Sequence, residues 1–179
     1  MTTPLRARYS HRARWFHWVM AILIVLAYAL ILSRTQLAKG SEPRTLVVQS
    51  HFWVGIVVFF MAFFRVAERR RHSPPGITPP LEGALRTVAT LSHYLLYTFL
   101  FAQPLLGLFT VLLEKGSLPI PLTELTIASP FPLSERIAER LEDLHKLLGT
   151  TFYYVIGLHV VAALWHHFVR KDDTLRRML

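Results

Sequence analysis

Four stretches without a charged residue constrain this chain more than anything else in it: residues 15–33, 45–64, 87–113 and 147–169. A helix crosses the hydrocarbon core of a bilayer with about 17–25 predominantly apolar residues, so each stretch is long enough to span. Lipid offers no water to backbone N–H and C=O groups, and none of the stretches alternates like a strand, so they must satisfy their own backbone as helices. Ser134 and the charged run from Glu135 to Asp143 precede the last stretch. That pattern predicts a helix that Ser134 caps outside the membrane and that continues into the span. The expected fold is therefore an all-α membrane protein, a four-transmembrane-helix bundle in one domain over residues 1–179, with helices at about 15–33, 45–64, 87–113 and 136–169.

The connections set the orientation. Arg6, Arg8, Arg12 and Arg14 precede the first span, five arginines (65, 69, 70, 71 and 86) lie between the second and third, and Arg170, Lys171, Arg176 and Arg177 follow the fourth. Those 13 basic residues compare with 7 on the other side, spread over longer sequence. The bias predicts cytoplasmic termini. It also gives the formal net charge of +9 a topological meaning, leaving no case for nucleic acid. The first stretch has 19 residues, basic flanks and no small-x-small cleavage pattern, so it reads as a retained anchor. The Pro-rich part of the 3–4 connection (Pro119, Pro121, Pro130, Pro132) reads as helix-poor. With no cysteine, the chain cannot carry disulfides, iron–sulfur clusters, thiolate zinc or covalently attached c-type haem.

Five of the nine histidines, His17, His51, His93, His145 and His159, lie in or beside the spans. Ionisable groups at membrane depth are costly and therefore mark function. His145 and His159 are 14 residues apart, about 21 Å along a helix and within about 40° of one face. One helix thus offers a ligand toward each membrane surface. His17 enters the first helix from the cytoplasmic side and His51 enters the second from the opposite side, so depth pairs His17 with His159 and His51 with His145. Residues four positions on are small for these four (Ala21, Gly55, Gly149, Ala163), as a flat porphyrin against the helix requires, whereas His93 is followed by Tyr97. Structural zinc usually takes four protein ligands, while two imidazoles complete the axial positions of haem iron. The pattern predicts two b-type haems.

These residues resemble the bacterial cytochrome b561 family over essentially the whole chain. The resemblance is carried by residues 9–18 (Tyr-Ser-His-Arg-Ala-Arg-Trp-Phe-His-Trp), by His51 to Gly55, by His145-Lys-Leu-Leu-Gly149 through Val155-Ile-Gly-Leu-His159, and most specifically by the tail from Ala163 through Trp165-His-His167 and Asp172-Asp-Thr-Leu-Arg176. Within the family the chain is most similar to members described as superoxide oxidases, superoxide:ubiquinone oxidoreductases of the inner membrane. The resemblance implies the same two ligand pairs, His17/His159 on the cytoplasmic side and His51/His145 on the periplasmic side. It also implies electron entry from superoxide and exit to ubiquinone.

Quinone reduction needs protons near a lipid-accessible site, and His93, His166, His167 and Lys171 gather toward the cytoplasmic end. His166, seven residues beyond His159 and so near the same face, is the expected quinone-side group, with His93 second. Arg65, 14 residues after His51, could pair with haem propionates or act as a positive-inside anchor. An anionic substrate should meet a positive field, yet on the periplasmic side 7 acidic residues face the 7 basic ones. Only Arg34, Lys39 and Arg44, with Lys146, could build a funnel. The alternative function is a cytochrome b membrane subunit that relays electrons between quinone and a partner dehydrogenase or hydrogenase. A transporter using the same histidines fits poorly, because no span is broken or acidic.

Overall fold

The structure, a computed structural model, describes residues 8–179; Arg6 of the N-terminal basic group lies outside them. Four helices carry the chain: α1 (His11–Ser33), α2 (Glu42–Arg71), α3 (Gly83–Lys115) and α4 (Glu135–Phe168). Each contains a window apolar and long enough to cross a membrane. All four outrun their charge-free stretches, because the basic and acidic flanks are good helix formers and are solvated beyond the apolar slab. Ser10 caps α1 through its Oγ, which accepts from the Ala13 N–H, and Ser41 does the same for α2 toward Arg44. Ser134 occupies the N-cap of α4, but its side chain makes no capping bond, contrary to expectation. Its carbonyl alone starts the helix, accepting from Ala138 at 2.9 Å.

Close backbone packing runs from α1 to α2, α2 to α3 and α3 to α4, while α4 stands off from α1 and α2. A core of Met20, Val58, Ala62 and Leu100 joins α1, α2 and α3. Elsewhere the apolar side chains point outward: Val25 is 68% exposed and Leu158 69%. So large an apolar surface is tolerable only against lipid. Pro104 lies inside α3 without ending it.

The 3–4 connection is less irregular than its prolines suggest. Strands β1 (Ser117–Pro119) and β2 (Thr126–Ala128) pair antiparallel, Leu118 opposite Ile127, and the Trp53 indole N–H donates to the Pro119 carbonyl at 2.9 Å. Gly116, at φ 68°, turns the chain out of α3 into this ribbon. At the opposite end the last ten residues fold back over the bundle. Trp18 Nε1 donates to the Met178 carbonyl at 3.0 Å, and Thr78 N donates to Asp173 Oδ1 at 2.9 Å. Arg177 hydrogen-bonds the Pro75 carbonyl and stacks its guanidinium 5.6 Å from the Tyr9 ring. The tail thereby ties α1, the 2–3 connection and α4 into one cap.

Candidate functional site

The gap in front of α4 is where the histidines meet. His51 on α2 and His145 on α4 face each other with ring centroids 6.2 Å apart and planes at 84°. His17 on α1 and His159 on α4 face each other at 6.4 Å and 63°. The structure thus brings together both pairs expected from depth, one toward each end of α4.

The His51/His145 pair is held at its outer nitrogens. His51 Nδ1 lies 2.8 Å from the Ala27 carbonyl oxygen and His145 Nδ1 lies 3.0 Å from that of Gln103. A carbonyl only accepts, so each Nδ1 carries the proton and each Nε2 keeps its lone pair. Gln103 returns the contact, its Nε2 donating to the His145 carbonyl at 2.9 Å. Gly107, one turn further along α3, backs directly onto the same ring: a Cβ there would come within 3.0 Å of His145 Cε1. Neither Gln103 nor Gly107 stands out in the sequence, where a glycine in a membrane helix reads simply as a packing face.

Around the His17/His159 pair the chemistry differs. The Arg65 guanidinium donates to His17 Nδ1 at 3.1 Å and lies 5.9 Å from the Tyr97 ring centroid. His93 also belongs here, with its ring centroid 6.1 Å from that of His159. Tyr97, one turn after His93, directs its ring toward Arg65 and Arg69, 5.6 Å from the latter. His93 Nδ1 is bound to its own helix, 2.5 Å from the Ala89 carbonyl oxygen.

The small residues after the ligand candidates divide into two kinds. A Cβ on Gly55 would meet nothing within 4 Å, leaving an open face beside His51, whereas one on Gly149 would meet Gln103 Nε2 at 3.0 Å. Gly149 therefore serves helix packing instead of an open face. Its carbonyl accepts from the Tyr28 hydroxyl at 2.7 Å, and Tyr28 rests on the Tyr153 ring at 5.8 Å. This bridge links α1 to α4 between the two histidine pairs.

His166, in the last turn of α4, contacts Asp172, Nδ1 to Oδ2, at 2.5 Å. Lys171 is exposed and joins no part of this group. Among the described residues, no group of three or more His, Asp or Glu is placed to hold a metal ion. At the other end the Arg44 guanidinium is engaged by the Arg34 and Leu37 carbonyls at 2.8 and 3.0 Å, and Lys146 pairs with Glu142 at 2.8 Å. Lys115, one of the seven basic residues of this side, lies 5.9 Å from the Phe52 ring next to His51.

Residues 8–179 match the family model described as prokaryotic cytochrome b561. The chain belongs to the prokaryotic cytochrome b561 family. It is 32% identical over 174 residues to cytochrome b561 homolog 1 of Escherichia coli strain K12, covering 96% of this chain and 97% of the relative. It is 29% identical over 179 residues to the probable superoxide oxidase CybB of Yersinia pestis, covering 98% and 97% respectively. A further relative, cytochrome b561 homolog 2 of E. coli K12, is 28% identical over 172 residues, at 96% and 91% coverage. Membership makes this cytochrome b561 a multi-pass membrane protein with b-type haem and a role in electron transfer. Its histidines suit that cofactor. Two imidazoles bound end-on to one iron, each at about 2 Å, have ring centroids about 6 Å apart, and both cytochrome b561 pairs have that spacing.

Proposed function

We propose that this cytochrome b561 is a di-haem superoxide:ubiquinone oxidoreductase of the bacterial inner membrane, with both termini in the cytoplasm. His51 and His145 would hold the periplasmic-side haem b, and His17 and His159 the cytoplasmic-side one. The observation that carries the di-haem reading is the pair of facing imidazole couples toward opposite ends of α4, 6.2 and 6.4 Å between centroids, and the similarity to a probable superoxide oxidase supports the substrate. When bound, haem would supply one-electron exchange, and the four imidazoles would be the groups that hold it. In the net reaction two superoxide ions lose one electron each to become oxygen, and ubiquinone takes both electrons and two protons to become ubiquinol.

The chain's own groups prepare each end. The Ala27 and Gln103 carbonyls fix the tautomers of His51 and His145 so that both Nε2 lone pairs are available. Gly107 leaves the His145 ring its place. At the other end Arg65 holds His17 Nδ1 as an acceptor; for Nε2 to serve as the ligand, Nδ1 would have to be protonated and the guanidinium to turn to another acceptor, such as a carboxylate of the bound group. The cations at the periplasmic end, Arg34, Lys39, Arg44, Lys146 and Lys115, would draw in the anionic substrate. His166, with His93, would serve the quinone as proton-bearing groups.

The test is direct. The protein is purified in detergent and its haem-to-protein ratio and oxidised and reduced spectra are recorded; superoxide is then added with and without a ubiquinone analogue. Two haems reduced by superoxide and reoxidised by quinone are expected. Two haems indifferent to superoxide would move the assignment to the partner-subunit relay, and a haem-free protein would sink both.

A further inference from the structure

Beyond Phe168 the chain reverses sharply. Lys171 adopts φ 56°, and the Asp172 N–H returns to the His166 carbonyl at 3.1 Å. The reversal carries the Asp172 carboxylate back against the helix end, where the residue is 2% exposed. Oδ2 meets His166 Nδ1 at 2.5 Å and lies 3.0 Å from Arg170 Nε, while Oδ1 accepts from Thr174 N at 2.9 Å. A carboxylate is the wrong charge for this place. The C-terminal end of a helix carries partial negative charge, and burying an ionised group is costly even when it is paired. A cap alone would be served better by a lysine or a neutral amide. Burial would raise the Asp172 carboxyl, yet the bonds from the Thr174 N–H and from His166 hold it below the usual carboxylate range, so it stays ionised at neutral pH.

The neighbouring Asp173 makes the contrast. It is equally withdrawn, at 6% exposure, but its Oδ1 accepts from Thr78 N and stands 3.4 Å from Arg177 Nε. It fastens the tail and has no contact with a histidine. Of two adjacent buried acids, both tie the tail, and Asp172 also holds His166.

We propose that Asp172 is a positioning residue of the quinone-reducing end: it keeps a proton on Nδ1 of His166, so that Nε2 is the atom that hands a proton to the reduced quinone. As the quinone oxygen becomes anionic, the Nε2–H bond breaks and an O–H bond forms, with the electrons supplied by superoxide; His166 is reloaded from cytoplasmic water. The carboxylate partners the imidazolium that exists before transfer and orients the neutral ring after it. This inference rests on the assignment of His166 to the quinone.

The test compares Asp172→Asn, Asp173→Asn and His166→Gln in the haem-loaded protein, following reoxidation by a ubiquinone analogue. Asn at 172 keeps the shape and an acceptor but loses the charge; Asn at 173 loosens the tail without touching His166. Asp172→Asn and His166→Gln should each lower the maximal reoxidation rate by about tenfold or more, with KM little changed, a larger solvent deuterium isotope effect and undisturbed reduction by superoxide. Asp173→Asn should reoxidise at the wild-type rate. A wild-type rate in Asp172→Asn beside a slow His166→Gln overturns the proposal alone, as does equal slowing in both aspartate variants, which would mark a purely structural cap. A wild-type rate in His166→Gln overturns the quinone assignment and this proposal with it. Infrared difference spectra of the wild-type protein with labelled aspartate need no variant: carboxylate bands that shift on quinone reduction are expected, and unchanged bands overturn the proposal.

Discussion

The four ligand candidates differ in what holds them, and that difference can be measured residue by residue. His51→Ala or His145→Ala should reduce the haem content from two per chain to one and spare the second spectrum; His17→Ala or His159→Ala should do the converse. Because the ring of His93 is as near to that of His159 as the His17 ring is, His93→Ala decides between two partners. It should keep both haems and slow only reoxidation by quinone; loss of the cytoplasmic-side haem would make His93 the ligand instead. Gly107→Ala tests the cradle behind His145. The added methyl group, 3.0 Å from Cε1, must push the ring or part the helices, so it should cost about 1–3 kcal/mol and perturb one haem spectrum, read by melting temperature and by the reduced absorption band.

At the scale of elements, α4 is central: it carries one proposed ligand of each pair, and the chain beyond it closes the cap. That cap should respond to acid. The Asp172 carboxyl is held below its ordinary value, so its contribution to stability is fully present above about pH 4 and is lost as pH falls through the lower folded value. A melting temperature that drops over that range in the wild type, and less so in Asp172→Asn, is the expected result. The helices and the histidine depths are legible in the sequence because apolar length and helical rise are local, periodic quantities. The cap is not. Asp173 and Thr78 are 95 residues apart, and nothing in either segment advertises the other, so the tail arginines read only as topology signals. The same holds for Gln103, an ordinary polar residue until α3 packs against α4, and for His93, whose approach to His159 depends on how those two helices are rotated. The short ribbon of β1 and β2 was hidden by its prolines, which occupy its ends and turn.

For the molecule as a whole, the proposed orientation and substrate make separate claims. The absence of native cysteine makes single-cysteine labelling clean: Ser73→Cys should react only with reagents that enter the cytoplasm, and Thr123→Cys with impermeant ones added outside. Labelling in the reverse sense would invert the bundle. Steering of superoxide by cations such as Lys115 and Arg34 should make reduction fall as salt rises, since charge attraction is screened beyond about 10 Å at 0.1 M. Lys115→Gln should flatten that dependence. The 14-residue interval between His145 and His159 has a further meaning, because it equals two heptads. Positions two heptads apart stay on one seam in a left-handed bundle, whereas a single inserted residue swings everything beyond it by about 100°. The interval from His51 to Arg65 is the same. Length changes inside these segments are therefore tolerable only in whole heptads, and the distance separating the two histidine pairs is fixed in steps of about 10 Å.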